Sequence, residues 1–250
     1  MAALVACRDP TAGPGWLSGG RPPLPVYAAP RASGPISIDG RLDEPAWSDA
    51  PAVELVDSLA GGAPRYRTRA RLTWDDAALY VAFECDDDVV WARPGRKDDD
   101  ALWEDEVVEV FLDRTGSGRD YVEIEVSPAN VKFDARFASR RSDLATARAW
   151  ESRARTATAV DGALTWGDAP PQRARGWSAE LSLPWSALSP EPPRTGMRWR
   201  MNLYRLETHN RRGKAEGSAY SPPLRPDFHA LDRFGWLELS PHVTERERRR

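Results

Sequence analysis

The sequence predicts an all-β fold, a β-sandwich of about ten antiparallel strands with short helical turns between them. Three observations predict it. Apolar and polar residues alternate over short runs, as in Tyr66, Thr68, Ala70, Leu72 and Trp74 against Arg65, Arg67, Arg69 and Arg71. Turn-forming groups such as Asp39-Gly40, Asp75-Asp76 and Gly116-Ser117-Gly118 separate the runs. The chain of 250 residues holds 11 Trp and 22 Pro, which suits strands joined by turns better than a helical bundle.

Taken in order, residues 1–35 are rich in Pro, Gly, Ala and Arg without periodicity, and are expected to be a disordered leader or linker. Within them Leu4-Val5-Ala6-Cys7 has the form of a lipoprotein cleavage box, but no basic segment or full apolar run precedes it. The expected location is extracellular or at the cell surface, as a lipoprotein if Cys7 follows a truncated signal, and otherwise cytoplasmic. Residues 36–241 carry the predicted sandwich. Ile36–Ile38 enters the Asp39-Gly40 turn, and Leu42–Trp47 makes a helical turn with Pro45 early in it. The run ending at Trp74 and the run Leu79–Phe83 form a hairpin about Asp75-Asp76. Two acidic loops follow, then the strands Val107–Asp113, Tyr121–Ser127 and Val131–Phe137. Further strands are expected at 150–158, 177–184, 198–205 and 234–239, with a helical turn at 184–188 and a polar loop at 207–217. Residues 242–250 are a charged tail.

The totals exclude several classes. Net charge is −3, so no basic surplus drives nucleic-acid binding. No apolar run reaches the roughly 18 residues of a membrane span. The cysteines, Cys7 and Cys85, have no metal-ligand spacing, and Cys85 reads as a buried free thiol. A monomer is expected.

The stretch Trp103-Glu104-Asp105-Glu106-Val107-Val108-Glu109-Val110-Phe111-Leu112-Asp113 organises the rest. Val108, Val110 and Leu112 share one strand face; Val107, Glu109 and Phe111 share the other. An unpaired Glu109 would be costly in a sealed core, so it is expected at a cleft, a solvated face or a cation. Trp103 at the strand mouth can present a flat ring. A ring beside a carboxylate on a sheet face suits a sugar, the ring stacking on the C–H face and the carboxylate accepting from hydroxyls. The same pattern also fits a core tryptophan and a solvated strand face. Glu123 and Glu125 form a second acidic face beside the first.

Several motifs, in order, resemble family 9 carbohydrate-binding modules and related DOMON-like sandwiches. They are Ile38-Asp39-Gly40-Arg41-Leu42-Asp43-Glu44-Pro45-Ala46-Trp47, Leu72-Thr73-Trp74-Asp75-Asp76 with Leu79-Tyr80-Val81, and the Trp103–Asp113 stretch. Trp177–Pro184, Leu183-Pro184-Trp185 with Leu188, Asn202, and Phe228-His229 through Arg233-Phe234-Gly235 continue the series. The resemblance covers about residues 36–240 and implies a β-sandwich that binds carbohydrate without catalysis. It implies that Trp103 and Phe228 are the two stacking rings and Glu109 an acidic sugar contact. Tyr204 falls near an amide contact of the family, Arg225 where the family has an Asn before the second ring, and Glu125 at a basic contact, and these three depart from it; Asn202 follows the family's order and is a further expected ligand contact. The ligand implied is an oligo- or polysaccharide. The resemblance also raises calcium, for which Asp86, Asp87 and Asp88 offer oxygen ligands without a spaced loop pattern.

Other chemistries fit less well. A glycosidase needs two carboxylates flanking a bond, and Glu109, Glu123 and Glu125 could approach that geometry, yet no acid sits in an evident apolar pocket. None of His209, His229 and His242 stands near a Gly-x-Ser-x-Gly elbow, and His229 is expected to rim the site. A haem-binding electron-transfer module remains the alternative of another class, with Met197, Met201 and His209 as the ligands to place.

Overall fold

In the computed structural model the described residues are 21–96, 98, 101–208 and 215–242. Cys7, His209 and residues 243–250 of the charged tail lie outside them. The strands are β1 (Val26–Ala29), β2 (Val53–Glu54), β3 (Val56–Asp57), β4 (Thr68–Trp74), β5 (Ala78–Asp86), β6 (Trp91–Ala92), β7 (Val107–Asp113) and β8 (Tyr121–Val126). They continue as β9 (Lys132–Phe137), β10 (Arg155–Gly162), β11 (Thr165–Trp166), β12 (Ala174–Pro184), β13 (Arg198–Glu207), β14 (Glu216–Ala219) and β15 (Gly235–Leu239). Among the described residues three short α-helical turns lie between them, α1 (Pro45–Asp49), α2 (Leu144–Ala147) and α3 (Trp185–Leu188), with 3-10 turns at Leu102–Glu104 and Leu231–Arg233.

One sheet has the order β1-β15-β13-β7-β8-β9, with β14 joining β13 to β3; the other runs β10-β12-β5-β4-β2. Their facing sides form the main core. Val108, Val110, Leu112, Ile124 and Leu203 of the first sheet are sealed with Leu72, Val81, Phe83, Ala179 and Leu181 of the second. Burying each such side chain contributes on the order of 1.5–3 kcal/mol. Alternation therefore decides which side of β7 faces the core, and it turns Val107, Glu109 and Phe111 to the opposite side of the sheet. There a second apolar cluster gathers Leu102, Phe111, Tyr121, Phe133, Phe137, Tyr204 and Phe234.

The opening motif clamps the early chain onto the outside of the smaller sheet. Glu180 Oε2 accepts from the backbone N–H of Asp39 and Gly40, and its Oε1 accepts from Trp47 Nε1 at 2.8 Å. Gly40 has φ +88°, and a Cβ there would meet the Thr158 carbonyl carbon at 2.6 Å, so only glycine fits the turn. Pro45 opens α1 as expected, where its missing N–H costs nothing.

Several boundaries differ from expectation. The leader expected over 1–35 gives way by Val26, because β1 pairs in parallel with β15, Val26 opposite Trp236. The chain is also not wholly antiparallel: β6 and β11 pair in parallel as well. The strand expected over 150–158 lies at Arg155–Gly162, set there by antiparallel pairing with β12. Cys85 is a buried free thiol. No helix among the described residues is long and apolar enough to cross a membrane.

Candidate functional site

The Trp103–Asp113 stretch divides into residues with different tasks. Trp103 sits in a 3-10 turn, Leu102–Glu104, and is 38% exposed. Its anchor is Asp105, which is buried and accepts from Arg93 Nε at 2.8 Å and Arg96 Nε at 2.7 Å. Glu106 points to the opposite side, where it accepts from the Trp91 backbone N–H. Asp113 ends the strand by accepting from the N–H groups of Gly116 and Gly118, both at 2.8 Å. Alternation thus leaves Glu109 on the outer face with no structural duty of that kind.

That face opens into a cavity of about 660 Å³, a size typical of small-molecule sites. Trp103, Glu109, Glu123, Phe228, His229 and Asp227 line it, with Phe133, Phe137 and Arg141 among the remaining walls. Trp103 packs edge-on against Phe133, with ring centroids 5.2 Å apart. Phe228 lies flat on Tyr204, centroids 4.1 Å apart and planes 6° apart. The loop that carries Phe228 is tied down by Asp227, which accepts from Arg140 and from Arg141 Nη2. Gly217 leaves room for the ring, since a Cβ there would stand 2.8 Å from Phe228 Cζ.

The electrostatics of the floor are unusual. Glu109 is 2% exposed, Glu123 5% and Glu125 0%. Burial holds all three carboxyls above the ordinary range, Glu123 at about 7, and the charge of Glu123 adds to the effect on Glu109. His229 Nδ1 hydrogen-bonds Tyr121 Oη at 2.7 Å. Burial lowers its pKa to about 4, so the ring is neutral at pH 7.

Trp103, Glu109 and Phe228, expected together from sequence, line one cavity. Asn202, Tyr204 and Arg225 do not line it. Asn202 is buried, donating from Nδ2 to Tyr204 Oη at 2.6 Å and to the Ser221 carbonyl at 2.8 Å. Tyr204 lies behind Phe228, and its hydroxyl donates to the Phe228 carbonyl at 2.9 Å. Arg225 turns to Asp232 and Asp227. These three support the Phe228 loop from behind and beside it.

The calcium ligands expected at Asp86, Asp87 and Asp88 do not converge. Asp86 accepts from Arg67 Nε at 3.2 Å, Asp88 accepts from Tyr66 Oη, and Asp87 is buried against Arg205. Asp87 does gather with Glu106 and Glu207. The Arg205 guanidinium already lies among them, at 2.6, 3.3 and 2.8 Å, so that cluster has a cation of its own. For haem, Met197 and Met201 are both packed in the main core, which removes them as ligands.

Glu123 carried a readable signal, an acid alternating with Val122 and Ile124, but no sequence signal placed it at a cavity. Asp227 and Gly217 were missed altogether, since their roles depend on loops that meet only in three dimensions.

The match that decides the family runs over residues 38–240, nearly the whole sandwich, to the carbohydrate family 9 binding domain-like family. The chain belongs to that family. An "Extracellular protein" of Arthroderma benhamiae is 28% identical over 175 residues, 68% of this chain and 78% of that protein. "Endo-1,4-beta-xylanase A" of Thermotoga neapolitana is 26% identical over 217 residues, 86% of this chain but 18% of the enzyme. The chain therefore spans under a fifth of that xylanase. A solved family 9 module from Caldicellulosiruptor kristjanssonii, in complex with cellotriose, shares the fold with a TM-score of 0.59 at 17% identity, covering 88% of this chain and 96% of the module.

Proposed function

We propose that this family 9 domain binds a carbohydrate in the cavity lined by Trp103 and Phe228, and that it does so without breaking bonds. The observation that carries the reading is that these two rings, distant in sequence, line one cavity together with Glu109 and Glu123. A flat aromatic ring covers the apolar C–H face of a pyranose, and the carboxyl groups on the floor hydrogen-bond its hydroxyls. Cellotriose, the ligand of the Caldicellulosiruptor module, is the first oligosaccharide to try.

A glycosidase reading is weaker. Glycosidases place their two carboxyls on either side of a bond, roughly 5–9.5 Å apart. Here the carboxylates project side by side from one face of β7 and β8, Glu109 directly opposite Glu125, and so gather on one floor of the cavity.

The test is a glycan array followed by calorimetric titration of the wild type and Trp103→Ala. Removing a stacking ring should cost about 2 kcal/mol or more of binding. Because Trp103 is 38% exposed, the melting temperature should stay within about 4 °C. Unfolding of the variant, or unchanged affinity, would sink the assignment of Trp103. A wild type that binds no glycan would sink the function.

A further inference from the structure

The described residues contain other buried carboxylates, and these are matched. Asp105 has Arg93 and Arg96, Glu180 has two backbone N–H groups and Trp47, Asp134 has Lys132, and Glu106 has Arg205. The trio on the cavity floor differs. Glu109 and Glu125 are directly opposite across β7 and β8, and Glu123 projects from the same face two residues along. The Glu125 side chain is fully buried and, among the described residues, no cation or N–H donor reaches either of its oxygens; its polar neighbours are the carboxyls of Glu109 and Glu123, the latter within hydrogen-bonding reach. Arg141 lines the same cavity, but its side chain is half-exposed and already paired with Asp227. An unmatched buried acid is costly to retain, and a cluster of three is costlier.

We propose that Glu109, Glu123 and Glu125 hold a divalent cation at the floor of the cavity, calcium by its tolerance of an irregular oxygen cage, and that its remaining positions accept hydroxyl oxygens of the bound sugar. Each of the three offers a carboxylate oxygen close enough to the other two for one ion to touch all three. Calcium takes its oxygens in flexible geometry, whereas magnesium demands a near-ideal octahedron and keeps several waters. Three carboxylates leave a six- to eight-coordinate ion short of oxygens. Glu109 and Glu123 both reach the cavity while Glu125 closes the rear, so the open positions face the space a sugar would fill. Vicinal hydroxyls supply two neutral oxygens at a suitable spacing. The sugar half of this inference rests on the binding function proposed above; the cation half does not.

The experiment separates the two. The 250-residue protein is stripped with chelator and titrated with calcium chloride, without sugar, by calorimetry, with magnesium chloride as comparator. One equivalent of calcium should bind, more tightly than magnesium. Glu125→Gln and Glu123→Gln, each checked for native near-ultraviolet dichroism, should weaken it at least about tenfold. A calcium-dependent rise in the wild-type melting temperature gives a readout that needs no variant. No calcium binding at millimolar concentration, or binding that both variants leave intact, overturns the site and leaves three carboxyls sharing protons. Cellotriose and array glycans are then titrated with calcium and with chelator. Affinity that falls at least about tenfold in chelator supports the shared ion, and equal affinity in both overturns the sugar half. Calcium binding without any glycan binding overturns the proposed function and retains the cation site.

Discussion

Tyr204 lies face to face with Phe228, centroids 4.1 Å apart, and donates its hydroxyl to the Phe228 carbonyl at 2.9 Å. Ring and backbone of the cavity residue are thus fixed by one buried side chain that does not itself line the cavity. Tyr204→Leu should lower sugar affinity severalfold or more by removing the platform. Tyr204→Phe keeps the stack but leaves Asn202 Nδ2 and the Phe228 carbonyl each short of a partner. That loss should cost about 1–3 kcal/mol of stability with a smaller change in affinity. Calorimetry for binding and urea unfolding for stability distinguish the two; equal affinity in all three proteins would mean that Phe228 is not held by Tyr204.

Gly217 tests the same ring from the other side. A Cβ there would stand 2.8 Å from Phe228 Cζ and 2.7 Å from Ser58 Oγ, so Gly217→Ala must displace one of them. Overpacking of this kind costs roughly 1–3 kcal/mol. Since Phe228 is only half-buried, the ring should yield before the sheet does. The expected result is a weaker sugar complex with native far-ultraviolet dichroism, and a variant that binds like the wild type would show that Ser58 moves instead.

Arg205 should matter to folding and not to binding directly. Its guanidinium is buried among Asp87, Glu106 and Glu207. Arg205→Ala strands those carboxylates, and breaking a buried network in this way costs about 3–5 kcal/mol. The exposed pair Arg175 with Asp161 provides the control, because screened surface pairs contribute little. Urea midpoints for Arg205→Ala and Arg175→Ala should differ widely, and similar midpoints would show that Arg205 is not a keystone of this end of the sandwich.

Alternation made the sandwich legible, because runs such as Val108–Leu112 can hide their apolar side only between two sheets. The two-residue strands β3, β6 and β11 were not legible, since two residues carry no period. Val26–Ala29 was hidden for another reason: its partner β15 lies some 210 positions on, and a Pro-rich context masks a parallel edge strand. Trp103 and Glu109 stood out as residues that break the pattern of a buried strand. Phe228 came from resemblance alone. Asn202 and Tyr204 share the face of Glu109 yet lie behind the cavity wall, because alternation gives the face of a strand but not whether a loop covers that face. Calcium was sought at Asp86–Asp88, where acids are adjacent in sequence. Neighbours along a strand point apart, whereas Glu109 and Glu125 meet across two strands.

The same buried acids give a pH dependence of definite sign. In chelator, Glu106, Glu109, Glu123, Glu125 and Glu180 all have folded pKa values above the ordinary 4.5, chiefly through burial, with Glu123 at about 7. Between those limits the folded state binds more protons than the unfolded chain, so stability increases as pH falls through about 7 toward 4.5. His229 opposes this, since its pKa is lowered from 6.5 to about 4 and its contribution is lost on acidification over that window. Arg141 near Glu123 and Asp105 near Glu125 bias the cluster in opposite directions. Five raised carboxyls outweigh one imidazole, so the metal-free melting temperature should rise between pH 7.5 and 5, by about 2–4 °C for each kcal/mol relieved. Glu125→Gln should flatten the rise by removing one of the titrating acids. Scanning calorimetry at half-unit pH steps reads both curves, and a wild-type melting temperature that falls steadily over this range would contradict the burial of uncompensated acids beneath the cavity.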